Sequence, residues 1–287
     1  ILTITYIMFH KITLLSIILF ISISVFCVND TIRVLTIGNS FSEDAVENNL
    51  YDLGKADGIT FIIGNIMIGG CSLEKHWNNA ANNLPAYSYR KTESDGAKKV
   101  LGGARLSEII PSEKWDYISF QQVSSNTGKY ETYFPYLSNL FDYVRTRSSN
   151  PDTKYILHMT WAYAKDSKHA GFANYNNDQI KMYTAIVETV NKVAEKVAIN
   201  IVIPSGTAIQ NARTSYLGDT FCRDGHHLNL IIGRYIAACT WYEKLTGRNV
   251  IGNSFAPASL TETEIRIAQE AAHRAVIHPD RITAFAD

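Results

Sequence analysis

Three residues of the sequence have the types and the spacing that nucleophilic catalysis requires. Ser40 follows an apolar run that ends in Gly38 and Asn39, and a helical pattern begins directly after it. Asp224 and His227 lie three residues apart on a glycine-containing turn. A serine hydroxyl becomes a nucleophile when a base accepts its proton and an acid orients that base. If the turn faces Ser40, the three residues therefore indicate acyl transfer.

Two alternatives to this interpretation remain open. Serine is a preferred N-cap residue, so Ser40 could simply cap the helix that follows it. His226 is a competing base, and His226 with His227 could bind a metal ion in a metal-dependent hydrolase. No further cluster of His, Cys or carboxylate residues with ligand spacing lies near them in the sequence. The sequence therefore predicts a site with no metal and no cofactor.

Other residues follow the remaining apolar runs and could complete such a site. Gly70, in a Gly-Gly pair, allows a backbone N–H to approach a ligand closely. Gln121 and Gln122 end another run, and their amide groups could stabilise an oxyanion or belong to a polar loop. We also expect that histidines elsewhere in the mature chain line the cleft: His76, His158 and His169.

Three aromatic residues are predicted to bind substrate: Trp77, Trp161 and Tyr163. Aromatic rings beside a site suit sugar rings, and they suit apolar groups equally well. For Trp161, packing in the core is the alternative.

The elements that must position these residues alternate along the chain. Continuous apolar runs predict strands at 33–37, 60–68, 117–121, 155–161 and 200–204. Helical patterns cover 43–56, 133–147, 179–197, 228–245 and 262–276, the last with a capping box in 259–262. This alternation predicts a parallel sheet of about five strands with helices on both faces. Such sheets bind ligands at the carboxyl ends of their strands, where the candidate residues lie.

Composition limits the classes of protein to consider. The chain has 287 residues, 46% of them apolar and 19% charged, which suits one folded domain. The formal net charge is zero, so no basic surface is predicted to recruit nucleic acid.

The first residues have the pattern of a targeting signal. Met8 is the first methionine, Lys11 is basic, and the apolar run 12–26 contains Ser22 and Ser24 as a cleavage signal. We therefore expect 1–27 to comprise upstream residues and a cleaved signal peptide, and 28–287 to form a single exported domain. The membrane is expected as a partner only through this signal or through a lipid anchor on Cys27.

Three cysteines remain in the predicted mature chain: Cys71, Cys222 and Cys239. An exported protein could form one disulfide from them, and the bland alternative is three buried thiols.

The motifs together resemble those of the SGNH (GDSL) hydrolase superfamily. Residues 38–42, Gly-Asn-Ser-Phe-Ser, are similar to its first block, with Asn39 where the usual motif has Asp. Gly70 is similar to the second-block glycine, and 224–227 to the fifth block, Asp-x-x-His. The sequences of the first and fifth blocks and of Trp-Ala-Tyr-Ala at 161–164 are similar to those of one branch of the superfamily, domain-of-unknown-function group 4886. The resemblance implies a flavodoxin-like, three-layer α/β/α sandwich.

It also implies roles for individual residues. Ser40 would be the nucleophile, His227 the base and Asp224 its orienting partner, with the backbone N–H groups of Ser40 and Gly70 as oxyanion donors. The third block departs from the family pattern, since Gln121-Gln122 stands where the family has Gly-x-Asn-Asp. We expect the third donor to be Gln121 or Gln122, with Asn126 or no side chain as the alternatives.

The resemblance implies a serine esterase. Together with the predicted export, the aromatic residues Trp77, Trp161 and Tyr163 lead us to expect that it removes acetyl or similar small acyl groups from carbohydrates. Its partner would be a small-molecule or glycan ester. The alternatives are a lipase or thioesterase, and a non-catalytic glycan-binding protein on the same scaffold.

Overall fold

The computed structural model describes residues 30–285. Within that range the strands are β1 (Thr31–Gly38), β2 (Thr60–Met67), β3 (Tyr87–Thr92), β4 (Lys98–Ala104), β5 (Tyr117–Phe120), β6 (Lys154–His158) and β7 (Ile201–Ile203). They form one sheet in the order β4-β3-β2-β1-β5-β6-β7. The five predicted strands are the parallel ones, in the order β2-β1-β5-β6-β7. This is the flavodoxin-like order, with its switch point between β1 and β5.

The helices of the described residues are α1 (Ser40–Val46), α2 (Leu50–Ala56), α3 (Leu73–Ala81), α4 (Leu106–Ile109), α5 (Tyr136–Arg145), α6 (Gln179–Val197), α7 (Ser205–Ala212), α8 (Ile232–Thr246) and α9 (Glu262–Ile277). Helix α8 packs against α1, α2, α7 and α9, while α3 packs against α5. The mixed α/β sandwich is thereby confirmed.

The central strands are buried because helices cover them. On β1, Val34, Leu35 and Ile37 are at most 1% exposed, as the continuous apolar run predicts. Trp115 and Trp241 are fully buried beside them. This packing fixes the carboxyl end of β1 next to those of β2 and β5.

A hairpin extends the sheet beyond the predicted strands. Strands β3 and β4 pair antiparallel with each other, and β3 pairs antiparallel with β2. Tyr87 and Tyr89 point into the core and alternate with less buried residues, and Asp95-Gly96 forms the turn, with Gly96 at φ +87°. Alternation and an Asp-Gly turn are the signal of a hairpin, and it was present in the sequence.

Two predicted helical regions differ in detail. The pattern at 43–56 forms two helices, α1 and α2, separated at Asn48 and Asn49, which have low helix propensity. The capping box of α9 is formed by Thr261 and Glu264, two residues later than predicted. Helix α7 has no amphipathic pattern because all eight of its residues are buried.

Cys71, Cys222 and Cys239 are free thiols in the described structure, so none of them forms the disulfide that the sequence left open. Burial raises the pKa of Cys71 to about 12 and that of Cys222 to about 11. The predicted signal peptide and Cys27 lie outside the described residues. Between residues 30 and 285, none of the helices has the length and apolar character needed to cross a membrane.

Candidate active site

A cleft of about 360 Å³ opens at the carboxyl ends of β1, β2 and β5. Its lining comes from five segments that are distant in sequence: Asn39, Ser40, Phe41, Gly69, Gly70, Val123, Ser124, His169, His226 and His227. The switch point of the sheet lies between β1 and β5, so the cleft is where a parallel α/β sheet is expected to bind a ligand.

Ser40 is the first residue of α1, and it does not cap the helix. The N-cap is Asn39, whose side-chain oxygen accepts a hydrogen bond from the Phe41 N–H at 3.0 Å. The N-cap interpretation of Ser40 is therefore wrong, because the neighbouring amide performs that function. The Ser40 hydroxyl is left free to bond to another group.

The structure brings Ser40, His227 and Asp224 together. Ser40 Oγ lies 2.9 Å from His227 Nε2, although the two residues are 187 positions apart. His227 Nδ1 lies 2.7 Å from Asp224 Oδ2. Asp224 accepts through both oxygens, so His227 Nδ1 carries a proton and Nε2 faces Ser40 with a lone pair. This is the geometry of a serine activated by an oriented histidine.

Asp224 is also bonded to its own loop. Its Oδ1 accepts the backbone N–H groups of His226 (3.1 Å) and His227 (2.8 Å). Partial burial alone would raise the pKa of Asp224, but the hydrogen bonds from the His227 ring and from these N–H groups outweigh it. The pKa of Asp224 is therefore well below its usual range, and the carboxylate is charged at neutral pH.

The loop that carries Asp224 and His227 is tied to the nucleophile helix by Asp44, whose side chain is fully buried. Arg223 Nη1 lies 3.1 Å from both Asp44 oxygens, and Leu228 N–H donates to Asp44 at 2.9 Å. Asp44 is also paired with Arg234 at 2.7 Å. Since Arg223 and Leu228 flank the turn on both sides, Asp44 fixes the loop relative to Ser40.

Two backbone donors face the place where an oxyanion would form. Among the described residues, the N–H groups of Ser40 and Gly70 have no acceptor. Gly70 has φ +62°, a backbone conformation that residues other than glycine rarely adopt. Both residues line the cleft, so both predicted backbone donors are brought to it.

The structure does not bring Gln121 or Gln122 to the cleft, although one of them was expected to supply the third donor. Gln122 is 1% exposed, and its amide nitrogen donates to Thr132 O (3.0 Å) and Oγ1 (3.1 Å). Gln121 is 3% exposed, and its amide nitrogen donates to Asn39 Oδ1 at 2.7 Å. Asn126 does not belong to the cleft lining within the described residues either.

Gln121 instead belongs to a buried relay that we define by Ser205, His158, Gln121, Asn39 and Cys71. His158 bonds to Gln121 Oε1 and Ser205 Oγ, both at 3.0 Å. An amide oxygen only accepts, so His158 Nδ1 donates and its Nε2 accepts the Ser205 proton. Burial lowers the pKa of His158 to about 3, which keeps the ring neutral.

At the cleft, Asn39 of the relay connects the two segments that carry the backbone donors Gly70 and Ser40. Asn39 Nδ2 donates to the carbonyl oxygen of Cys71 at 3.0 Å, directly after Gly70. The same amide caps α1 directly before Ser40. An amide can accept from Gln121 and donate to Cys71, whereas a carboxylate only accepts, which gives a physical reason for Asn where the usual SGNH motif has Asp.

The three predicted aromatic residues do not line the cleft. Trp161 is fully buried, stacks on Phe41 with ring centroids 4.4 Å apart, and donates to His226 O at 2.8 Å. Tyr163 is also fully buried and bonds to Ser124 Oγ at 2.8 Å. Trp77 is half-buried on α3 and packs against the core. The prediction of substrate binding is therefore corrected for Trp161 and Tyr163, since the core takes their surfaces, and for Trp77 it stays a prediction.

Of the three histidines expected at the cleft, only His169 lines it. His76 and His158 are at most 2% exposed. Asp224, His226 and His227 have possible metal-ligand atoms within 4.8 Å of one another. Two of those atoms, His227 Nδ1 and Asp224 Oδ2, already bond to each other. The arrangement therefore suits an oriented base directly, and a metal ion would have to displace that bond.

Sequence reasoning missed Asp44 and the relay. In the sequence, Asp44 is an ordinary acidic residue in the first turns of a helix. Only its complete burial and its bonds to the loop show that it fixes the position of that loop. A sequence signal did exist for the relay, since Asn39 and Gln121 both depart from the usual family motifs, but nothing in one chain shows that the two side chains meet.

The sheet order, a serine directly after the first strand and an Asp-x-x-His turn after the last strand define a class. The fold is that of the SGNH hydrolases. A candidate SGNH hydrolase from Slackia heliotrinireducens has a similar structure, with TM-score 0.50 and 18% identity over 75% of this chain and 100% of that one.

The chain belongs to the family "Domain of unknown function (DUF4886)", which matches residues 33–275. The crystal structure of a DUF4886 family protein from Bacteroides uniformis ATCC 8492 is similar, with TM-score 0.87 and 54% sequence identity. That match covers 88% of this chain and 98% of the other. No curated protein sequence matches this chain.

Proposed function

We propose that this protein is an exported serine esterase that hydrolyses esters of small acyl groups through an acyl-enzyme. The observation that carries the proposal is the chain of bonds Ser40–His227–Asp224, at 2.9 and 2.7 Å, beside two backbone N–H groups that have no acceptor within residues 30–285. A nucleophile, an oriented base and oxyanion donors are the parts that acyl transfer needs.

The mechanism follows from these positions. His227 Nε2 accepts the Ser40 proton as Oγ attacks the ester carbonyl, and the negative charge of Asp224 stabilises the imidazolium that forms. The Ser40 and Gly70 N–H groups stabilise the oxyanion. His227 then gives its proton to the leaving alcohol, and the acyl group remains on Ser40. Water attacks this acyl-enzyme with His227 again as base, which releases the acid and restores Ser40.

The size of the cleft supports a small substrate. Its volume of about 360 Å³ is near the lower end of the roughly 300–1,000 Å³ found for small-molecule sites. This favours a short acyl group over the long chains of a lipase or thioesterase. Deacetylation of carbohydrates stays part of the proposal because of the predicted export, and the buried Trp161 and Tyr163 do not support it.

Hydrolysis of 4-nitrophenyl acetate tests the proposal. We expect turnover by the wild type and a loss of at least about a thousandfold in kcat/KM in Ser40→Ala. A fluorophosphonate should label the wild type and not the variant. The matched control is Ser42→Ala, because Ser42 Oγ bonds to Asn39 O and Asn65 Oδ1 and does not line the cleft. Turnover that survives Ser40→Ala contradicts the proposal.

Two other functions give different results in the same assay. A metal-dependent hydrolase that uses His226 and His227 would lose activity in EDTA and regain it with Zn²⁺. A non-catalytic glycan-binding protein would show binding on a glycan array with neither turnover nor labelling of Ser40.

A further inference from the structure

Two imidazole rings stand beside the catalytic base without a part in the mechanism. His169 and His226 both line the cleft, with ring centroids 4.7 Å apart. The His226 ring lies 4.1 Å from that of His227. Tyr163, buried behind them, contacts both rings at 4.9 and 5.7 Å. The core therefore holds the two rings in fixed positions.

The hydrogen-bond partners of each ring assign its proton. His169 Nδ1 accepts the Gly171 N–H at 3.0 Å, so the proton of that ring is on Nε2. His226 Nδ1 lies 3.3 Å from Asp224 O and 3.1 Å from Asp224 Oδ1. Both atoms only accept, so His226 Nδ1 carries a proton. Burial and the neighbouring His227 lower the pKa of His226, so its Nε2 keeps a lone pair at neutral pH.

The remaining nitrogen of each ring is open to the cleft. Among the residues that the structure describes, neither His169 Nε2 nor His226 Nε2 has a hydrogen-bond partner. Neither atom is among the enclosed side-chain atoms that lack a partner. The pair thus presents one donor, His169 Nε2–H, and one acceptor, His226 Nε2.

A hydroxyl group complements this pair, since it donates one hydrogen bond and accepts others. The side of the cleft is also defined, because His227 protonates the leaving alcohol and His226 lies next to His227. We propose that His169 and His226 bind a free hydroxyl on the alcohol part of the ester, close to the bond that is cleaved. The substrate class is then a partly acylated polyol or sugar. This inference rests on the proposed esterase function.

The experiment compares two esters of the same size, 2-hydroxyethyl acetate and propyl acetate. The wild type should show a kcat/KM at least about tenfold higher for the hydroxylated ester, because two hydrogen bonds form only with that one. In His169→Asn and His226→Asn the ratio should fall to within about threefold of one. Asparagine replaces the bond of Nδ1 in each case and removes the nitrogen that faces the cleft.

His273→Asn is the matched control. His273, on α9, bonds to Glu243 of α8 at 2.7 Å and does not line the cleft. Its ratio should equal that of the wild type. Glycerol monoacetate and a methyl xyloside monoacetate distinguish a polyol substrate from a sugar substrate. The kcat/KM for each should exceed that for propyl acetate, and the larger of the two values identifies polyol or sugar.

The outcomes distinguish this inference from the function on which it rests. Wild-type protein that hydrolyses both esters at equal kcat/KM overturns the hydroxyl site and leaves the esterase intact. A preference that persists in both variants also overturns the site. Wild-type protein that hydrolyses neither ester nor 4-nitrophenyl acetate overturns the esterase itself.

Discussion

The turn that carries Ser40 and the loop that carries Asp224 and His227 are held by different interactions. Neutral groups hold the first, through the relay from Ser205 to Cys71, whose residues are at most 3% exposed. Charges hold the second, through Asp44 with Arg223 and Arg234. The first surrounds the position of the oxyanion, and the second positions the base.

The difference follows from where each region lies. The relay crosses the sheet beneath the cleft, where an unpaired charge would be costly and amides can satisfy one another in a row. The loop lies at the edge, where Asp224 is 43% exposed and Arg223 is 32% exposed, so water still reaches the arginine. The two regions should therefore respond differently to substitution and to pH.

The largest effect is expected within the loop itself, from Asp224→Asn. The amide would donate to His227 Nδ1, which places the proton of the ring on Nε2, where it cannot accept the Ser40 proton. We expect kcat for 4-nitrophenyl acetate to fall about 10⁴-fold. The free energy of unfolding should also fall, by about 1 kcal/mol, because the hydrogen bonds that lower the pKa of Asp224 also stabilise the fold at neutral pH. A loss below tenfold would show that Asp224 does not orient the base.

Asp44→Ala breaks the attachment of the loop to α1. Two arginines lose their buried partner, so the free energy of unfolding should fall by about 3–5 kcal/mol, measured by urea denaturation. In the matched control Asp142→Ala, an exposed pair with Arg145 is lost, and about 1 kcal/mol or less is expected. Equal losses in the two variants would contradict the special function of Asp44.

Asn39→Asp tests the neutral relay. The carboxylate still caps α1, but it cannot donate to Cys71 O, and that buried acceptor is left unpaired. We expect a loss of about 1–3 kcal/mol in stability. Movement of the Gly70 turn should lower kcat by about ten- to a hundredfold.

Asn253 supplies the control, because its Oδ1 accepts the Phe255 N–H and its Nδ2 donates to Leu53 O, the same pattern away from the cleft. Asn253→Asp should lose stability and keep the wild-type kcat. If Asn39→Asp also keeps it, the relay does not position the site.

The smallest effect is expected in the pH dependence of the free energy of unfolding, where His158 of the neutral relay should contribute. The folded-state pKa of His158 is lowered to about 3, below its usual value of about 6.5. The neutral His158 ring therefore makes its full contribution to the free energy of unfolding above pH 6.5. That contribution decreases as the pH falls toward 3, at up to about 1 kcal/mol per pH unit. Urea unfolding between pH 7 and 4.5 should show a smaller slope for His158→Asn than for the wild type. Identical slopes would refute this assignment.

Much of the fold was predictable because it depends on neighbours in the chain. The apolar run of β1 and the period of α6, which spans Gln179–Val197 as predicted, are local patterns. The bond between Asp224 and His227 is local too, since three residues on a glycine turn bring the side chains together. The sequence also placed Ser40 directly after a buried strand.

Contacts between distant segments were decided by the tertiary structure. The sheet order brings His227 to Ser40 across 187 residues, and it brings Gln121 to Asn39, where its amide is used inside the protein. The same packing takes Trp161 and Tyr163 into the core. The sequence by itself determined which residues could do chemistry. The direction in which each side chain points from its strand end, and the partner it meets there, depended on elements that only folding brings together.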